Sequence, residues 1–155
     1  MTITLLCVGK LKEDYLTAGC REYLKRLSPW ADVRILEIKE ESGADTKALT
    51  VEKESAAVLG QLAKLKGYTI LLAIGGESLS SEEFAGKLEA LATEGKGRLV
   101  FVIGGSDGLS PEVAARADYA LSFSRMTFPH QLMRLILLEQ LYRGFSILHH
   151  GKYHK

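Results

Sequence analysis

Two rhythms alternate along this chain. Short runs that are apolar throughout, or apolar at every second position, predict strands over Thr2–Val8, Asp32–Ile38, Tyr68–Ile74, Arg98–Ile103 and Tyr119–Phe123. Glycine pairs follow two of them, Gly75-Gly76 and Gly104-Gly105. Between the strands the spacing changes to three and four. In "DYLTAGCREYLKRL" it sets Tyr15, Leu16, Tyr23, Leu24 and Leu27 on one helical face. The stretch 43–65 has helix-forming composition, with Asp45 or Thr46 as its cap. In "LSSEEFAGKLEALAT", Ser80 or Ser81 is the N-cap and acids fill the first turn, where the helix dipole favours them. "GLSPEVAAR" offers Ser110 as N-cap and Pro111 as first helical residue. A final helix is predicted from about His130 to Leu148.

Strands separated by helices imply βαβ crossovers, and so a parallel sheet covered on both faces. The fold class is α/β, in one domain spanning 1–155. The last helix is unusual. Leu132, Leu135, Ile136, Leu138, Leu141, Tyr142 and Phe145 occupy too much of its circumference for a one-sided element. Such a helix must be covered nearly all round, and a second copy of the chain is the simplest cover in a small domain. There is no internal repeat or linker, and "KEESGADTK" (39–47) is the one stretch that reads as a mobile loop.

With 155 residues, 46% apolar and 25% charged, the chain can bury a full core. No apolar run approaches the roughly 20 residues that span a bilayer. The start lacks a charged n-region and cleavage site, so a cytosolic protein with reduced Cys7 and Cys20 is expected. Net charge is only +1, but it is unevenly spread. From Arg125 onward there are five cations and one anion, and all four histidines. A basic end on an acidic body suits a local polyanion contact; a solvated, frayed terminus has the same composition.

Parallel sheets bind ligands beyond the carboxyl ends of their strands. Three endings stand out here: "LLAIGGES", "FVIGGSDGLS" and "SFSRMTFPH". Each glycine pair alone is an ordinary turn, but two pairs beside a third polar loop suggest a shared pocket. There is no P-loop, no dinucleotide fingerprint, no nucleophile elbow and no zinc spacing. What remains is a pocket that reads its ligand with backbone groups and apolar walls. Pro129 biases Phe128 toward extended backbone, so "SRMTF" could pair with a purine edge while Met126 and Phe128 cover its face. Both side chains could equally plug the core.

The blocks "FVIGGSDGLS" and "LSFSRMTFPHQLMRLILLEQLYRGFSI", the ending "YHK" and the start "CVGKLKEDYLTAGCREYLKRL" together resemble the RlmH family of SPOUT-class methyltransferases over nearly the whole chain. The resemblance implies a deep C-terminal trefoil knot and a homodimer that packs its last helices together. It implies S-adenosylmethionine (SAM) as cofactor, and methylation at N3 of a pseudouridine in helix 69 of large-subunit ribosomal RNA on assembled ribosomes. It implies a ribosomal RNA partner with neither membrane nor metal. The cofactor is then expected at Leu72, at Gly104 and Gly105, and along Ser124, Arg125, Met126, Thr127, Phe128 and Pro129.

Such chemistry needs a group that removes or stabilises the loss of the imide proton. His130 is one candidate, at a helix start where the dipole disfavours imidazolium; it could also simply pack beside the loop. Tyr153 and His154 are another, if the tail folds over the substrate and holds a flipped base. Arg143 is the expected cation, although an i,i+4 pair with Glu139 is also in reach. Arg125 and Arg134 are weaker candidates for RNA contact. Two rivals are a non-catalytic ribosome-binding or assembly factor with the same fold, and a flavodoxin-type binding protein. The second lacks support, since "VGKLKEDY" is poor in the Ser and Thr its phosphate loop needs.

Overall fold

The computed structural model describes residues 1–41 and 46–155. Along the chain run β1 (Thr2–Val8), α1 (Asp14–Leu27), β2 (Asp32–Ile38), α2 (Lys47–Leu65), β3 (Tyr68–Ser78), α3 (Ser81–Thr93), β4 (Arg98–Ile103), α4 (Pro111–Arg116), β5 (Tyr119–Ser122) and α5 (His130–Leu148). The five strands form one sheet in the order β2-β1-β4-β3-β5, and each neighbouring pair is parallel. Each crossover carries a helix, as parallel pairing requires.

The two-residue period of the central strands divides the core in two. Ile3, Leu5, Phe101 and Ile103 face α1, α3 and α5. Leu6, Val8, Val100 and Val102 face the other way, with Val58 and Leu62 of α2 and Val113 of α4. Helix α5 lies between α1 and α3, burying Leu137, Leu138, Leu141 and Phe145. At about 1.5–3 kcal/mol for each such side chain, this row alone is a large part of what seats the helix.

Caps fix the helix starts. Thr46 Oγ1 accepts from Leu49 N–H at 3.1 Å to begin α2. Ser80 caps α3 reciprocally: its hydroxyl accepts from Glu83 N–H, and the Glu83 carboxylate accepts from Ser80 N–H at 2.7 Å. Asp45 as a cap, with residues 42–44 of the polar loop before it, lies outside the described residues.

Four expectations change. Strand β3 does not stop at Ile74 but continues through Gly75-Gly76 to Ser78, with its register against β5 shifted between Leu72 and Glu77. Gly76 makes this possible. A Cβ there would sit 2.7 Å from the carbonyl of Ala120, so only a bare backbone can pass. Tyr15 is 69% exposed rather than part of the inward face of α1, which is Leu16, Cys20 and Leu27. Strand β5 is one residue shorter than expected. Finally, α5 finds much of its cover within its own chain, because α1 and α3 flank it; Leu132, Leu135 and Ile136 are left half-buried.

The path after β5 positions the site. Strand β5 is an edge strand beside β3, yet α5 begins against the end of β1, where Arg134 donates to the Gly9 carbonyl at 3.1 Å. Residues 123–129 must therefore return across the carboxyl ends of β3 and β4. This is the crossing that the resemblance implies is knotted.

Candidate cofactor and RNA site

A cavity of about 470 Å³ opens at the carboxyl ends of β4, β3 and β5, which are neighbours in the sheet. That volume falls within the usual range of small-molecule sites, about 300–1,000 Å³. Leu72 lines it from β3, Gly104 and Gly105 from β4, and Ser124, Met126, Thr127 and Phe128 from the returning loop. The three strand endings singled out by sequence thus surround one space. Arg125 and Pro129 belong to the same loop but do not line the cavity; both are exposed.

Local chemistry shapes each wall. The Ser122 hydroxyl donates to the Ser124 carbonyl at 3.0 Å, and the Ser124 hydroxyl accepts from Met126 N–H at 2.9 Å. These bonds fold the loop on itself and leave Met126 73% exposed at the mouth, so it does not plug the core. Below, Gly108 N–H donates to the Gly105 carbonyl at 3.0 Å in a turn closed by Gly108 at φ +79°. Ser110 N–H donates to Ser55 Oγ at 2.8 Å, which ties this turn to α2. A Cβ on Gly105 would stand 3.0 Å from Glu54 Oε1 and 3.3 Å from Val8 Cγ1. The backbone at Gly105 is therefore pressed against α2 on one side and lines the cavity on the other.

Sequence reasoning did not foresee every wall. Ala114 enters from α4 and Met133 from α5, both outside the three quoted endings. Their signal was spatial: the loop before α4 folds back over β4. Glu54 was also missed. It is 2% exposed, its Oε2 accepts from Glu41 N–H at 3.0 Å, and burial pushes its carboxyl pKa up.

His130 is the one titratable side chain on the cavity wall among the described residues. Its Nε2 is buried without a hydrogen-bond partner, 3.8 Å from where a Gly9 Cβ would lie. A wall so poor in charge does not suit a polyphosphate. Apolar rims and three strand-end backbones fit an adenosyl group held by main-chain contacts.

The other catalytic candidates gather elsewhere. Arg143 donates from Nε and Nη2 to Glu139 Oε1 at 3.0 and 2.6 Å, and the paired carboxylate raises its pKa. The Tyr153 hydroxyl donates to the same oxygen at 3.1 Å and lies 3.3 Å from the Tyr23 hydroxyl; these bonds and burial push its pKa up. Arg143 also stacks 4.7 Å over the Tyr153 ring. His154 uses both ring nitrogens: Nδ1 is 3.2 Å from Arg143 Nη1, and Nε2 is 2.6 Å from Glu82 Oε1. Guanidinium can only donate and carboxylate can only accept, so the neutral ring satisfying both carries its proton on Nε2. The tail is thus docked on α5 and the start of α3, not frayed.

Arg134 is not a surface cation. It is 1% exposed, with Nη1 donating to Glu37 Oε2 at 2.7 Å and Nη2 to the Gly9 carbonyl. The reading of Arg134 as an RNA contact is therefore wrong: its charge is spent joining α5 to β1 and β2. Cys7 and Cys20 are free and buried, and burial raises the Cys7 thiol to about 12. Among the described residues no cluster of His, Cys, Asp or Glu could hold a metal, and no helix is long and apolar enough to cross a membrane.

Fold and site together define a parallel α/β domain with a small-molecule cavity at its strand ends and a docked, basic C-terminal tail. The chain belongs to the SPOUT methyltransferase family, whose profile, described as "Predicted SPOUT methyltransferase", matches residues 1–154. It is 46% identical to "Ribosomal RNA large subunit methyltransferase H" of Desulforamulus reducens, covering 99% of this chain and 98% of that protein. It is 49% identical to the proteins of the same name from Enterococcus faecalis and Clostridioides difficile, each covered in full. Among solved structures, a probable methylase family protein from Haemophilus influenzae shares the fold. Its TM-score is 0.59 at 13% identity, over 99% of this chain and 70% of that one.

Proposed function

We propose that this protein methylates N3 of a pseudouridine in large-subunit ribosomal RNA, with SAM as donor, in the cytoplasm and as a homodimer. The observation that carries the reading is the coincidence of full-length identity to proteins of that name with a charge-poor cavity at the three strand ends. Leu72, Gly104, Gly105 and the 124–129 loop would hold the cofactor, Arg125 and Pro129 by shaping the loop rather than by contact.

When bound, the cofactor supplies a methyl carbon whose bond to positively charged sulfur breaks as the acceptor nitrogen's lone pair takes it, leaving a neutral thioether. The chain's part is to place that nitrogen within about 3–3.5 Å and to receive its proton. The second task falls to His130 in this reading: its ring lines the cavity, and its Nε2, buried beside Gly9, has no hydrogen-bond partner. His154 as docked has spent its Nδ1 lone pair on Arg143. With Arg143 and Tyr153 it is better placed to hold RNA and balance imide charge than to take the proton.

The test is transfer of labelled methyl to ribosomes that lack the modification, with the labelled base then mapped. One methyl at one pseudouridine is expected. Saturable SAM binding with no transfer would favour a ribosome-binding factor instead.

A further inference from the structure

A second space, of about 310 Å³, adjoins the strand-end cavity at Leu121, Phe123 and Phe128, which line both. Its remaining wall comes from the start of α3 and from Ile136 and Gln140 of α5. Methyl transfer requires donor and acceptor in contact, so the acceptor must occupy a space that adjoins the donor's. Among the described residues, this one does.

Its chemistry is that of a pyrimidine pocket. Phe123, Phe128 and Ile136 offer flat apolar surface, while Phe84 forms a floor held edge-on to Phe101. One edge is polar: Ser81 Oγ donates to Gln140 Oε1 at 2.8 Å. Gln140 Nε2 gives one of its two protons to Glu139 Oε2 at 2.8 Å, so its second proton is available. An imide nitrogen is flanked by two carbonyls, both acceptors, and the free Gln140 N–H is a donor for one of them; the Ser81 proton is spent on fixing that amide. Ser81 also precedes Glu82, which holds His154 of the tail. The Arg143, Tyr153 and His154 cluster therefore stands next to this second space rather than the first.

We propose that this space receives the target pyrimidine, flipped out of its strand, with the free Gln140 N–H donating to a carbonyl beside the reacting nitrogen and Ser81 holding the Gln140 amide in place. The assignment rests on the methyltransferase reading above.

Two variants of the full chain test it: Gln140→Leu, which removes the amide at similar size, and Ile136→Trp, which fills the space. Calorimetry with SAM serves as the independent readout, and thermal melting checks the fold. Gln140→Leu is expected to raise KM for ribosomes about tenfold, the worth of one buried hydrogen bond, with SAM affinity unchanged within about twofold. Ile136→Trp should suppress transfer more deeply at the same SAM affinity. If both variants methylate ribosomes within about twofold of the parent, the base sits elsewhere. If both lose SAM binding while melting normally, the space belongs to the cofactor and the assignment is overturned. A parent protein that binds SAM but never labels ribosomes removes the methyltransferase reading, and the pyrimidine pocket with it.

Discussion

Glu54 and Arg134 are the charged side chains that the fold takes almost wholly out of water among the described residues. Arg134 is paired, and its loss should be costly. Arg134→Met would strip the donor from the Gly9 carbonyl and from Glu37, at about 3 kcal/mol; Glu37→Gln, at the half-exposed end of the pair, should cost about 1 kcal/mol. Urea unfolding midpoints would measure both. Glu54 has no cation beside it, and burial raises its carboxyl pKa. Folding thus favours its protonated form, so the group is least unfavourable below the ordinary carboxylate pKa and costs stability as pH rises through the raised value. Glu54→Gln should therefore melt higher than the parent at pH 7, and the gap should close as pH falls below about 4. A constant gap across that range would contradict the burial argument. Neither role was legible in the sequence: the partners of Arg134 lie 97 and 125 positions away, and an Arg on an apolar helix reads as a surface group until those partners are seen.

At the scale of elements, local patterning found every strand and helix, because each carries its own period and its own stop or cap. It failed at the Gly75-Gly76 pair. Two glycines read as a turn, whereas here they let β3 run on beside β5 with shifted register. The two positions should behave differently. Gly76→Ala would force a Cβ into the backbone of Ala120 and should cost about 2 kcal/mol. Gly75→Ala, which meets nothing within 4 Å, should stay within about 0.5 kcal/mol. Equal chemical-denaturation midpoints for the two variants would refute the close approach. The glycine pair at 104–105 was a better guide, since there the bare backbone does line the cavity.

For the whole molecule, the alternation of strands and helices was enough to give a parallel sheet, and the convergence of three strand endings was enough to locate a cavity. The order β4-β3-β5 that brings those endings together was not legible, because no local signal says which strands are neighbours. The all-round apolar character of α5 was legible, but not that α1 and α3 would supply much of its cover. What they leave half-buried outside the second space, Leu132 among it, is the surface proposed to meet a second copy. Light scattering at micromolar concentration should give twice the mass of one chain; a single-chain mass would leave that surface unaccounted for.

The return of residues 123–129 across the sheet has a consequence for biosynthesis. Strands β1 to β4 can be made and paired before this segment exists, yet the cavity has no lid until it and the first turns of α5 are synthesised and seated. A nascent chain halted after β4 but before residue 133 would carry most of the sheet but no completed ligand site, so the capacity to bind should emerge abruptly, late in translation, rather than growing with chain length.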